Sequence, residues 1–182
     1  MPRLILLNGP PACGKSTLAR MYVEDHPLTL DLDIDVVRNL IGRWRDHAPE
    51  AGLLARSIAL AGARAHLASG HDVVVPQLLA QPAFIDQAAA LASELKCRFY
   101  EIALLDSKEN SVRRFIERAA ASRQSSFRET AKSLGQQGRL ADLDEMYDRL
   151  MALLVARPAT SLIRVRDGAV RQAYHDLLGV LA

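Results

Sequence analysis

Gly9-Pro10-Pro11-Ala12-Cys13-Gly14-Lys15-Ser16 is the stretch on which the reading of the chain turns. It meets the pattern G-x-x-x-x-G-K-[ST] at Gly9, Gly14, Lys15 and Ser16. The apolar run Arg3-Leu4-Ile5-Leu6-Leu7-Asn8 before it reads as a buried strand. Residues 15–25 after it carry helix formers up to His26-Pro27. Between a strand and a helix the glycines let successive N–H groups turn into an anion-sized nest. The helix start adds its positive end. Lys15 is expected to reach the β- and γ-phosphates of a nucleoside triphosphate, and the Ser16 hydroxyl to hold Mg²⁺. Gly9, Ala12, Cys13, Gly14 and Thr17 complete the expected phosphate-binding set. Ala12 stands where many such loops have a third glycine, and Pro10-Pro11 stiffens the approach. Neither removes the N–H groups of residues 13–16. Cys13 reads as a small filler, with a thiol sensitised by the helix end as the alternative.

Outward from the loop, Leu28 to Leu32 reads as a second strand and residues 35–42 as a short helix closed by Gly42. Residues 50–69 form a long helix, apolar around most of its circumference and therefore expected to be largely buried. Val73-Val74-Val75 is a third strand stopped by Pro76, and residues 83–95 are helical. Arg98 to Leu105 is a fourth strand. A polar, Arg-rich region covers about 107–140 and is expected to be helical at both ends. An apolar stripe marks a helix over 142–156, Leu162 to Val165 is a fifth strand, and residues 169–181 close the chain as a helix. Alternating strands and helices predict one α/β domain over residues 1–182, a doubly wound parallel sheet with helices on both faces.

Composition sets bounds. The 182 residues are 49% hydrophobic, 24% charged and only 5% aromatic, which suits an aliphatic, helix-rich core. A net charge of +2 is far from that of a dedicated nucleic-acid binder. Cys13 and Cys97 have neither metal-ligand nor disulfide-framework spacing. No apolar stretch is long enough for a membrane span. Residues 1–8 already read as a strand, so no signal peptide is expected, and a cytoplasmic enzyme is the expectation.

In a doubly wound sheet, ligands sit at the carboxyl ends of the strands, and Asp33 and Asp35 fall there for strand two. A phosphoryl-transfer site needs a carboxylate to orient or deprotonate the attacking hydroxyl, and others near the metal. Asp35 is the preferred base and a second candidate for the metal shell, and Asp33 is the other candidate; capping of the following helix is the competing role for either one. Arg38, one turn after Asp35, would clamp a charged substrate.

Gly9 to Ser16 together with L-D-x-D-x-x-R-x-L at 32–40 resembles small P-loop kinases of the adenylylsulfate kinase, gluconate kinase, chloramphenicol phosphotransferase and zeta-toxin type. The resemblance implies a nucleoside-kinase-like P-loop fold with strand order 2-3-1-4-5. It also implies a base or metal-linked role for Asp35 and a substrate contact for Arg38. ATP and Mg²⁺ are the implied cofactors; the acceptor is left open.

Asp106-Ser107-Lys108-Glu109 resembles a helix start with a capping box. Arg113, Arg114 and Arg118 follow, then Arg123 and Arg128. Arg114 and Arg118 share a helix face, and in the kinases named a mobile lid at this point carries arginines over the phosphates and base. Both are therefore expected to bind the nucleotide, Arg118 also as a catalytic cation; a solvated basic face is the competing reading. Asp106 reads as a cap rather than a Walker B aspartate, and strand three ends without a carboxylate, which argues against a mechanical ATPase.

For the acceptor pocket, Gln77 at the end of strand three, Trp44 beside Arg43 and Arg45, and Arg56 on the long helix are the candidates. Trp44 either stacks on a ring or covers the core. His66 reads as a satisfied packing residue. Arg157 and Arg166-Asp167-Gly168 flank strand five, where related folds place adenine. The leading function is transfer of the γ-phosphoryl group of ATP to a hydroxyl of a small molecule. The alternatives are a nucleotide kinase, a zeta-toxin-like nucleotide-sugar kinase and a non-catalytic switch. Monomer and homodimer both stay open, as does ATP against GTP.

Overall fold

The computed structural model describes the backbone of residues 1–121 and 136–182, with side chains over 1–117 and 144–182. In chain order the elements are β1 (Arg3–Asn8), α1 (Lys15–Asp25), β2 (Leu30–Asp31), α2 (Ile34–Asn39), a 3₁₀ turn (Trp44–His47) and α3 (Ala48–Ala68). Then come β3 (Val73–Pro76), α4 (Pro82–Glu94), β4 (Arg98–Leu105), α5 (Lys108–Ala121), α6 (Gln136–Ala156), β5 (Ser161–Arg164) and α7 (Val170–Leu181).

The strands form one sheet in the order β2-β3-β1-β4-β5, and each pairing is parallel. β1 lies at the centre, with Ile5 opposite Val74 on one side and Tyr100 on the other. Its residues alternate between two cores. Leu4 and Leu6 join Val73, Val75 and the inner faces of α3 and α4. Ile5 and Leu7 join Val74, Ile102 and Leu104 under α1 and α7. Each such Leu or Ile contributes about 1.5–3 kcal/mol by leaving water. The expected sheet order and two-sided helix cover are what the protein has.

Two local expectations need correction. Only Leu30–Asp31 of the 28–32 segment is strand, because Leu28 takes a left-handed turn with φ 66° before the ladder begins. Helix α3 is not apolar-buried all round. It meets the sheet through Ala51, Ala55, Ala59, Ala63 and Leu67, while Leu53, Leu54 and Ile58 are exposed. Small residues let the helix lie close on the strands, so its larger apolar side chains are turned outward.

The described ends of the Arg-rich region are helical, as expected. Arg157, after α6, is engaged by two carboxylates. It donates from Nε to Glu101 at 2.8 Å and from Nη1 to Asp86 at 2.8 Å. The mostly buried pair with Glu101 pins the end of α6 to β4, and the more exposed one with Asp86 ties it to α4. Among the described residues no helix is long and apolar enough to cross a membrane.

Candidate functional site

The loop between β1 and α1 is held in shape at three points. Gly9 has φ 148°, and a Cβ there would meet the Leu104 carbonyl oxygen at 2.5 Å and Cys13 Sγ at 2.8 Å. Ala12 and Gly14 are both left-handed, with φ 61° and 97°. Ala12 thus does the work of the missing glycine, at a cost of about 1–2 kcal/mol in backbone strain. Gly14 is the N-cap of α1, and no side chain caps that helix end or places an acid in its first turn. Its first N–H groups therefore face the loop with their positive field uncompensated.

Lys15 folds back over this nest, donating from Nζ to the Gly9 and Pro10 carbonyls at 2.9 and 2.8 Å. Ser16 is half-buried at the helix start. Thr17 is exposed there. Cys13 is 2% exposed and packed in the core under α1. A filler role accounts for that burial.

A side chain overlooked in the sequence organises the loop. Asn8, 1% exposed, accepts the Gly9 N–H at 2.8 Å. It also exchanges two hydrogen bonds of 2.9 Å with the backbone of Leu79. The chain leaving β3, with Gln77 in it, is thereby locked to the phosphate loop. Gln77 Oε1 is buried without a partner among the described residues.

At the end of β2, Asp33 is the N-cap of α2 and accepts the N–H groups of Asp35 at 2.8 Å and Val36 at 3.4 Å. Burial pushes the Asp33 carboxyl up, and the Asp35 carboxylate pushes the same way. The Asp35 N–H and the Lys15 ammonium pull it back only in part. Lys15 and Asp33 therefore feel each other across the loop. Asp35 is more open to solvent and pairs with Arg38 at 3.1 Å. Arg38 also lies over the Trp44 ring, its Cζ 4.5 Å from the centroid, and Arg45 Cζ lies 4.8 Å from the same centroid. Arg56 is exposed on α3, and no contact brings it to this group among the described residues. His66 donates from Nε2 to the Leu28 carbonyl at 2.8 Å, as a satisfied packing residue should.

On the other side of the loop is a cavity of about 190 Å³. Its walls include Ala12, Gly14, Thr17, Arg114 and the turn Arg166-Asp167-Gly168. Arg114 is mostly buried and ion-paired with Asp106. Asp106 is not the helix cap: Ser107 Oγ accepts the Asn110 N–H at 3.2 Å, and Asp106 holds Arg114 against the cavity wall. Arg113 reaches Asp167 at 3.1 Å and joins α5 to the turn after β5. Arg118 lies in the backbone of α5, but its side chain, like Arg123 and Arg128 altogether, lies outside the described residues.

The sequence pattern of the AAA domain family matches residues 4–143. No curated protein matches the chain. Among solved structures, a gluconokinase from Sinorhizobium meliloti 1021 is similar over 98% of this chain and 93% of its own, at 18% identity and a TM-score of 0.62. A protein of Chloroflexus aurantiacus j-10-fl described as a candidate kinase is similar over 99% and 96%, at 18% identity and a TM-score of 0.68. The tunicamycin resistance protein of Deinococcus radiodurans is similar over 100% and 96%, at 12% identity and a TM-score of 0.63. At these identities the likeness is one of fold.

Proposed function

This chain belongs to the AAA domain family, and we propose that within it the protein is an ATP-dependent phosphotransferase acting on a hydroxyl of a small molecule. The observation that carries the reading is the meeting of three elements at the carboxyl ends of β1, β2 and β4. An uncapped helix start lies under Lys15, the carboxylates of Asp33 and Asp35 lie on one side, and an Arg114-walled cavity lies on the other. Together they offer separate places for phosphates, a hydroxyl and a base, with the turn at 166–168 beside the cavity.

In this reading the amides of Ala12, Cys13, Gly14, Lys15, Ser16 and Thr17, with Gly9 shaping the loop, bind the triphosphate. The Ser16 hydroxyl makes no hydrogen bond to the described residues and would hold Mg²⁺. The metal would supply charge neutralisation on the phosphates. Asp35 takes the proton of the acceptor hydroxyl as its oxygen forms a bond to the γ-phosphorus. The bond between that phosphorus and the bridging oxygen breaks, and ADP leaves with the electron pair. Asp33 caps α2 and keeps Asp35 at the mouth of the loop. Lys15, Arg114 and Arg118 stabilise charge developing on the phosphates. Gln77, Arg38, Trp44 and Arg56 serve the acceptor. The chain works as one domain, with the region about 107–140 as a lid, in the cytoplasm.

The reading is tested by calorimetry of ATP–Mg²⁺ with wild type and Lys15→Ala, followed by ADP release over a panel of hydroxyl compounds. Wild-type binding that weakens about a hundredfold or more in the variant is expected for a lysine that contacts charged phosphates in a partly buried site. Equal affinity in both would remove the basis for the proposal.

A further inference from the structure

We infer that Asp106 is a positioning residue for nucleotide binding, its buried carboxylate fixing Arg114 as part of the wall of the cavity beside the phosphate loop. The inference rests on the phosphotransferase reading, which makes that cavity part of the nucleotide site. Asp106 directly follows β4, and its side chain is only 6% exposed. A carboxylate is costly to bury alone, so its oxygens need partners. Oδ1 accepts the Ser107 N–H at 2.7 Å and the Asn110 side-chain amide at 3.1 Å, both at the turn from β4 into α5. Oδ2 pairs with Nη2 of Arg114, eight residues on. One oxygen thus shapes the local turn, and the other is left to hold the arginine.

That hold matters for a ligand. A free arginine side chain loses rotamer freedom when it meets a ligand, whereas one already fixed by the fold does not. Among the described residues Asp106 is the only ion-pair partner of Arg114. Arg114 lines the cavity together with Gly14 and Thr17 from the loop side and Gly168 from the turn after β5. The anchor is itself held: Tyr147 of α6 donates its hydroxyl to the Asp106 carbonyl at 2.9 Å. The neighbouring Arg113 ties α5 to Asp167, another residue of the cavity wall. A purely structural ion pair is the competing role. Two buried charges are a poor device for stability alone, because apolar side chains of similar size serve as well or better. Here the arginine of the pair faces a cavity, where its position can act on a ligand.

Calorimetry of the full-length protein with a non-hydrolysable ATP analogue and Mg²⁺ tests the assignment. Asp106→Asn keeps an oxygen for the Ser107 N–H and removes the charge that holds Arg114. Affinity should fall about tenfold, the scale of losing one pre-ordered charged contact. Arg114→Met should lose at least as much. In the double variant the two losses should not add, because Asp106 acts through Arg114. Chemical denaturation separates this from a structural role. Each single variant leaves a buried partner unpaired and the double variant leaves none, so stability should recover in the double while affinity stays low. Asp106→Glu keeps the charge but is longer by one methylene. It should stay folded even if Asp106→Asn does not, and weaken binding by a smaller factor. Asp148→Asn, which removes an exposed ion pair between Lys108 and α6, should bind like wild type. Wild-type affinity in Asp106→Asn, Asp106→Glu or Arg114→Met would overturn the assignment. So would additive losses, or an equal loss in Asp148→Asn. Failure of the wild-type protein to bind the analogue would instead defeat the phosphotransferase reading itself.

Discussion

The side-chain amide of Asn8 pairs with both main-chain polar groups of Leu79, donating to its carbonyl and accepting its N–H, each at 2.9 Å. It behaves as an extra strand residue made of side-chain atoms, extending the β1–β3 contact beyond Pro76. The same oxygen accepts the Gly9 N–H, so the first amide of the phosphate loop and the segment that carries Gln77 share one anchor.

Asn8→Ala would leave buried groups of Gly9 and Leu79 without partners. Each such group costs about 1–3 kcal/mol, so a loss of about 3 kcal/mol or more is expected in chemical denaturation. Asn8→Asp keeps the acceptor for the two N–H groups but sets a carboxylate oxygen against the Leu79 carbonyl. Hydrogen exchange at residues 77–80 should rise in both variants, and unchanged exchange would mean that the clamp does not hold the segment.

Two glycines of the loop should respond differently to alanine. At Gly9 the new Cβ would stand 2.5 Å from the Leu104 carbonyl oxygen and 2.8 Å from the buried Cys13 Sγ, and the backbone contact prevents an easy retreat. Gly14 has open space around it, so Gly14→Ala carries only the left-handed strain, about 1–2 kcal/mol. Gly9→Ala should therefore show the larger drop in melting temperature and the larger loss of ATP analogue affinity. The reverse order in calorimetry would refute the packing argument.

Asp33 and Asp35 can be separated by charge removal. Asp33→Asn keeps an oxygen for the Asp35 and Val36 N–H groups, and should change stability by only a few tenths of a kcal/mol, whereas Asp33→Ala should lose about 0.5–2 kcal/mol of capping. Asp35→Asn removes the proposed base and should slow phosphoryl transfer about 10²–10⁴-fold with ATP binding little altered. A slower reaction in Asp33→Asn than in Asp35→Asn would exchange the two assignments.

At the amino ends of β1 and β3, Tyr22 is fully buried and donates its hydroxyl to Asp72 at 2.7 Å. Burial and this hydrogen bond push its ionisation up to about 12 from an ordinary 10.0. The unfolded chain therefore releases the phenolic proton at lower pH than the folded one. Stability from this group is full below about pH 10 and is lost as pH rises toward about 12. Urea melts at pH 9 and pH 11 should show a smaller alkaline loss in Tyr22→Phe than in wild type. Equal losses would place the alkaline sensitivity elsewhere.

Much of the fold could be read along the chain because strands and helices here are separated by local punctuation. Pro76 ends β3, Gly70 follows α3, and the residues of β1 and β4 match their apolar runs. The loop at 9–16 was legible for the same reason, since its backbone angles and helix start are local matters. Helix α3 was misread because its alanines and leucines look equally apolar in composition. Only the close approach to the sheet decides that Ala55 and Ala59 go in and Leu54 and Ile58 stay out. The four-residue spacing of Ala51, Ala55, Ala59 and Ala63 was the available signal. For Asn8 the signal was a polar residue closing an otherwise apolar strand.

The sequence by itself determined the order of elements, the phosphate loop and the candidate carboxylates after β2, all of which depend on neighbours within a few residues. Tertiary structure alone decided which side chains share a task. It made Asp33 the cap and left Asp35 more open to solvent, paired Asp106 with Arg114 eight residues on, and turned Arg157 to Glu101 and Asp86. It also gathered Arg38 and Arg45 on Trp44 and joined Leu79 to Asn8. The Arg157–Glu101 and Asn8–Leu79 relations depend on distances between elements far apart in the chain, and the shorter-range ones on turn geometry and burial that select one partner among several of the same charge.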